Sequence, residues 1–289
     1  EKIKLNMGND MWTSYSPSEE IGSFRMSDGP VGLRYCGENG KTEVGVAYPS
    51  IQMLSHTWDM DLVEKYAEAL ADDCIDRNVD VLLGPGVNIK RVPTCGRNFE
   101  YYSEDPLISG KMAAAITRGV QSQGGVGVTV KHFCCNNQED NRTGVSENVS
   151  QRALREIYLR AFRIAVTDGK PWCVMSSYNK VNDVYVCNSR AFCTDILRKE
   201  WGFDGVVISD YSAFEEQIIH GNCEDKKEAA YNAMMAGCDI EMVSRALMRS
   251  IALLQKYANA EFKGIAKVGD DKLAPLEITL RNSEIKRIL

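Results

Sequence analysis

No apolar run in the sequence approaches the roughly 20 residues that a membrane-crossing helix needs, so no such helix is expected. No C-x-x-C pair occurs, and no metal-ligand triad is spaced for a metal, so neither a metal nor another cofactor is expected. No G-x-G-x-x-G follows the first strand-like segment, which leaves a dinucleotide-binding fold without support. There is no block of like charge, and the net charge is −6, both of which argue against a nucleic-acid partner. Repeats of 20–50 residues are absent, which excludes a solenoid. The first residues, EKIKLNMGND, lack the apolar core of a signal peptide. The ten cysteines are scattered through helix-like and strand-like segments, so they read as buried, reduced thiols. Together these features lead to the expectation of a cytoplasmic chain.

What remains is ordinary globular material, 44% apolar and 26% charged. A length of 289 residues suits either two domains of about 150 residues or one α/β barrel of about 250. Helix-like and strand-like segments alternate. The spacing predicts helices over Asp59–Arg77, 106–122, Ser150–Thr167, Ser189–Trp201, Lys226–Ala236 and Val243–Tyr257. Pro106 suits a first helical turn, and Ser189 suits a cap. Short β-branched runs predict strands over Val79–Leu83, Gly127–Phe133, Cys173–Asn179, Val206–Asp210 and Asp239–Met242. Such alternation implies parallel strands joined by right-handed crossovers. The expected fold is therefore α/β, a (β/α)8-like TIM-type barrel over 1–258 with an irregular or incomplete first unit. Residues 259–289 lose the periodicity and read as a linker or closing segment leading to a second domain.

Polar residues collect at the carboxyl ends of these strands, where barrels place their active sites. Asp28 and Arg34 stand in SDGPVGLR, Arg97 and Glu100 in GRNFEYYSEDP, and Lys131 and His132 in VKHF. Met175 and Tyr178 stand in VMSSYN, and Asp210 and Tyr211 in VVISDY. Each has a structural reading alone. Asp210 suits a helix N-cap, Lys131 or His132 a paired core position, and Arg97 a loop tie. Ionisable groups at nearly every strand end instead imply a polar cavity, because buried charge is costly. Cations, carboxylates and aromatic faces suit a neutral polyol. A lone central carboxylate suits a nucleophile facing a developing cation, as in a retaining glycosidase whose second carboxyl lies about 5–5.5 Å away. The Lys and Arg neighbours are expected to keep Asp210 ionised.

The ordered motifs SDGPVGLR, GRNFEYYSEDP, VKHFCCNNQEDNR, VMSSYNKVN, LRKEWGFDGVVISDY and AGCDIEM resemble glycoside hydrolase family three, the β-glucosidase and β-xylosidase type. The resemblance runs from Lys2 to about Met242. It implies a barrel that closes on a terminal non-reducing sugar, with glucose the default. It also implies a retaining mechanism through a covalent glycosyl-aspartate intermediate. Asp210 is then the nucleophile, and Asp28 holds the outer hydroxyls. Arg34, Arg97, Lys131 and His132 line the same subsite, with Met175 packing nearby and Tyr178 beside the nucleophile. Tyr211 stands where many members carry tryptophan, which leaves the sugar preference of the next subsite open. Arg142 has two readings, orienting the Lys131–His132 strand end or forming an ion pair with Glu139 or Asp140.

The resemblance also implies an acid/base residue that this sequence does not supply. Most members take that glutamate from a second, α/β-sandwich domain. A minority use an Asp–His pair in a KHFPGHG-like loop, which here reads KHFCCNNQEDNR. Glu100 and Glu139 are the nearest candidates, and both are expected to be structural. The expected partners are an oligosaccharide or an aryl or alkyl β-glycoside, and a second domain or partner chain that brings the acid. Two other readings stay open: a carbohydrate-binding barrel that is catalytically incomplete, and a Schiff-base lyase built on Lys131.

Overall fold

A computed structural model describes residues 12–13, 23–34 and 44–242. The expected helix over Val243–Tyr257 and the expected boundary at 258 lie outside the described residues. Five strands form one parallel sheet: β1 (Met26–Asp28), β2 (Val81–Leu83), β3 (Gly127–Phe133), β5 (Cys173–Ser176) and β8 (Val206–Ile208). Their order in space is their order in sequence. A doubly wound sheet would reverse direction at a switch point, whereas a barrel adds each strand beside the last. Ile240 continues the progression through a parallel bridge to Ile208. The fold is thus the TIM type, with the described strands forming one arc. The expected strand over Asp239–Met242 is reduced to that bridge, and the expected strands at 173 and 206 stop at Ser176 and Ile208.

The helices between strands are α1 (Ile51–Thr57), α2 (Met60–Asp76) and α3 (Pro106–Ser122), then a helical stretch over 151–169, α4 (Ala191–Glu200), α5 (Ala213–Ile219) and α6 (Lys226–Ala236). Several starts are written in the sequence. Asp59, Asp105, Ser150 and Asp225 each accept a backbone N–H from the first turn through the side chain. Each such cap contributes about 1 kcal/mol. Ser189 is extended and its carbonyl accepts the Cys193 N–H at 2.9 Å, so it stands where the helix of α4 begins, but its side chain makes no capping bond. Parts of 151–169 and all of α4 wind with the wider π pitch. A second, small sheet joins β4 (Ser146–Glu147), β6 (Lys180–Val181) and β7 (Val184–Tyr185).

Strand periodicity sorts the core into two layers. Leu82, Val128, Val130, Val174 and Val207 face outward into the large cluster beneath the helices. Met26, Val81, Leu83, Cys173, Met175 and Ile208 face inward as a separate apolar cluster. Successive side chains alternate faces, so the residue two places on from an inward one is also inward. Asp28 follows Met26 in this way, and Asp210 follows Ile208. The barrel interior therefore changes from apolar to polar at the carboxyl end of the sheet. Gly205, at the entry to β8, permits close strand packing, because a Cβ there would lie 2.2 Å from the Trp172 carbonyl oxygen. Among the described cysteines all are free thiols, and all but Cys95 are buried.

Candidate active site

A cavity of about 240 Å³ opens at that polar end. It is lined by nine of the ten residues that the sequence places at the strand ends, all but Glu100: Asp28, Arg34, Arg97, Lys131, His132, Met175, Tyr178, Asp210 and Tyr211. Arg142, Trp12, Leu83 and Met242 line it as well. Its volume lies below the roughly 300–1,000 Å³ of drug-sized pockets, so it suits one small ligand unit. Consecutive residues of a regular strand cannot both point inward. Lys131 and His132 do so because the register of β3 against β5 breaks between Val130 and Phe133.

Asp210 is 7% exposed. Its Oδ1 accepts the Tyr211 backbone N–H at 2.8 Å, whereas Oδ2 is buried without a hydrogen bond. The capping reading fails, since Ser212 holds the N-cap position of α5. The backbone around Asp210 is tied to segment 240–242 through Ser209 N–H to Ile240 O at 2.8 Å and Ser212 N–H to Met242 O at 2.8 Å. Met242 N–H also reaches Ser209 Oγ at 3.2 Å. The expectation is that neighbouring cations keep Asp210 ionised, and Arg97, Lys131 and Arg142 do favour the charged form. Burial nonetheless pushes the carboxyl above the usual carboxylate range, and it outweighs the pull of Arg97, the Tyr211 N–H, Lys131 and Arg142. Asp28 goes the other way. Burial works to raise it, but the charge and hydrogen bond of Lys131, with Arg97 and Arg34, bring it below the usual range.

Lys131 is 2% exposed and donates to Asp28 Oδ1 at 2.8 Å, with Glu100 Oε2 at 3.8 Å. Glu100 is buried and paired with Arg97. These four groups form one charge network, with Glu100 on its far side and not lining the cavity. Glu139 also lies off the cavity and binds Arg142 at 2.7 Å. Of the two readings of Arg142, the ion pair with Glu139 is the one the structure shows; the guanidinium also stacks 4.8 Å from the Tyr178 ring centroid, a contact that neither reading contained. Tyr178 donates to the Tyr211 carbonyl at 2.5 Å.

His132 is buried, and its pKa lies well below the ordinary value. Burial is the main cause, with Arg97, Lys131 and Arg142 adding to it. It is neutral at physiological pH. Asn88 clasps its backbone, accepting from the His132 N–H at 2.9 Å and donating to its carbonyl at 3.0 Å. Tyr101 Oη lies 3.1 Å from Nδ1 and accepts from Asn136 Nδ2 at 3.3 Å. The Tyr101 proton is then free to point at Nδ1, which leaves Nε2–H turned toward Asp210 Oδ2 at 3.8 Å. That separation is a dipole contact and not an ion pair, because the ring carries no charge. Among the described residues no group of His, Cys, Asp and Glu could hold a metal ion.

Beside the site, Glu241 is 3% exposed and faces Glu215 on α5 and Lys226 on α6, and Lys226 pairs with Glu215. Burial first, then the charge of Glu215, pushes the Glu241 carboxyl well up against the pull of Lys226. A raised carboxyl binds its proton more tightly folded than unfolded. Its stabilising contribution is thus complete at pH below the unfolded glutamate value and is lost as pH rises through the folded one. Glu241→Gln is expected to flatten the decline of melting temperature between about pH 5 and 8 and to melt higher than the parent at pH 8. Parallel melting curves for parent and variant across that range would contradict this.

A parallel barrel-type sheet with a carboxylate-centred pocket at its carboxyl end defines an α/β enzyme of the TIM class. Within that class the chain belongs to glycosyl hydrolase family 3, whose profile, described as the family 3 N-terminal domain, matches residues 15–268. The chain is 43% identical over 250 residues to thermostable beta-glucosidase B of Acetivibrio thermocellus, covering 84% of this chain and 31% of that protein. It is 46% identical over 221 residues to an exo-alpha-(1->6)-L-arabinopyranosidase of Bifidobacterium longum, covering 74% of this chain and 29% of that one. Among solved structures, beta-glucosidase 3B from Thermotoga neapolitana in complex with glycerol superposes with TM-score 0.74 at 38% identity, over 88% of this chain and 38% of that chain. A Bifidobacterium adolescentis GH3 beta-glucosidase gives TM-score 0.75 at 40% identity, over 88% and 35%. The chain therefore spans about a third or less of the curated relatives named here.

Proposed function

We propose that this chain is the nucleophile-bearing barrel of a retaining β-glycosidase that releases terminal non-reducing β-D-glucose through a covalent intermediate on Asp210. The observation that carries the reading is Asp210 Oδ2, a buried carboxylate oxygen without a hydrogen bond, in a small cavity lined by cations and aromatic rings. Attack by Oδ2 on the anomeric carbon forms the C–O bond to Asp210 as the bond to the leaving oxygen breaks. Water then cleaves the glycosyl ester and returns the carboxylate. Asp28, anchored by Lys131, presents an acceptor to sugar hydroxyls, while Arg34, Arg97 and Arg142 donate. Tyr211 and Tyr178 offer faces to the ring, with Met175 below it. The names of the relatives support the β-glucoside assignment, with an α-L-arabinopyranoside as the comparison substrate.

The leaving oxygen needs a proton, and among the described residues Asp28 and Asp210 are the cavity's carboxyl groups. Asp28 is committed to Lys131. We assign the acid to a glutamate from a second domain or partner chain. General acid help is worth about 10² to 10⁴-fold. This chain alone is expected to turn over 2,4-dinitrophenyl β-glucoside, whose leaving group needs no proton, at least a hundredfold faster than cellobiose. Equal rates would contradict the assignment. Proton NMR of the first-formed sugar tests the stereochemistry: β-glucose is expected, and α-glucose would overturn retention. The raised pKa of Asp210 adds that the acid limb of activity lies above the ordinary aspartate range.

A further inference from the structure

A second cavity, of about 340 Å³, lies on the other side of loop 134–142. It is lined by Arg91 and Val92 after β2, by Cys135, Asn137 and Gln138 of the loop, by Glu147 on β4, by Asn148 and Val149, and by Tyr158. No step of the proposed reaction uses it. Asn137 is 7% exposed, and its Nδ2 donates to the Ile89 carbonyl at 2.5 Å. A carbonyl can only accept, so this bond fixes which way the amide is turned. Asn137 Oδ1 is then a buried acceptor without a partner. An unpaired buried acceptor is unfavourable, and a ligand hydroxyl donating to it would relieve that.

Two opposite charges face the same space. Arg91 is fixed by donating to Tyr158 Oη at 2.6 Å, and Glu147 lies opposite it. The two do not form an ion pair with each other. Burial raises the Glu147 carboxyl although Arg91 pulls it down. An anion would meet Glu147, and a cation would meet Arg91. A neutral molecule carrying both donors and acceptors satisfies the set: hydroxyls donating to Asn137 and Glu147, and hydroxyl oxygens accepting from Arg91. Val92 and Val149 supply apolar surface for the face of a ring.

We infer that this cavity is a second, non-catalytic site for a neutral polyol of monosaccharide size. The test is the stoichiometry of D-glucose binding to the whole chain, measured by titration calorimetry. The parent protein is expected to bind two glucose molecules and Asp28→Ala one. Glu147→Ala, which removes the acceptor, and Val92→Trp, which fills the space from an exposed position, are each expected to bind one. Both are expected to leave hydrolysis of the aryl glucoside unchanged. A single site lost in Asp28→Ala overturns the inference. So does two-site binding in both cavity variants, or saturable binding of L-alanine, a zwitterion, in place of glucose. A single site that survives Asp28→Ala and disappears in Glu147→Ala upholds this inference while contradicting the assignment of the Asp210 pocket.

Discussion

Asp210→Asn is expected to lower turnover of 2,4-dinitrophenyl β-glucoside by on the order of 10⁴-fold or more, the scale seen when a catalytic nucleophile or its partner is removed. The same change is expected to leave the melting temperature unchanged or to raise it. The amide has nearly the shape of the carboxyl and keeps an oxygen for the Tyr211 N–H, but it carries no charge to bury. In the parent, burial dominates the carboxyl's environment despite three nearby cations. A residue retained for packing would behave in the opposite way, with activity kept and stability lost. Melting curves and rates on the same samples separate the two. A variant that retains a tenth of the parental rate would remove Asp210 from the reaction.

Lys131→Met is expected to have the largest effect on stability. The ammonium is 2% exposed and is held between Asp28 and Glu100. Methionine fills the space but leaves Glu100 buried with Arg97 as its remaining partner. Removing one member of a buried charge group costs about 3–5 kcal/mol, or roughly 10 °C in a domain of this size. Binding of the sugar should fall with it, because Asp28 loses its anchor. Adding Glu100→Gln to Lys131→Met removes the stranded charge and is expected to restore part of the melting temperature. Additive losses in the double variant would show that the two residues do not share a network.

The strand ends were legible because each short apolar run stops at a polar residue, and nine of the ten residues read from them line one cavity, Glu100 being the exception. The division between inward and outward layers was not, because strands covered on both faces read as continuous apolar runs. β4, β6 and β7 are two residues long and carry no period. Trp12 was missed because it lies in an irregular segment far in sequence from Asp28. Met242 stands in the AGCDIEM motif but is apolar, and an apolar side chain carries no site signal of its own. The upward shift of Asp210 was not legible, because counting neighbouring cations gives the sign of their pull, whereas the desolvation that opposes it depends on burial. The stacking of Arg142 on Tyr178 was not legible, because the two residues are 36 positions apart and only the fold brings them together.

The most direct measurement is the intact mass of the chain after incubation with 2,4-dinitrophenyl 2-deoxy-2-fluoro-β-glucoside, followed by peptide mapping. The activated leaving group removes the need for an acid, and the fluorine slows hydrolysis of the glycosyl ester. One added fluoroglucosyl group on the peptide containing Asp210 is predicted. An unmodified chain of demonstrated fold, or a label on any other residue, would contradict the account.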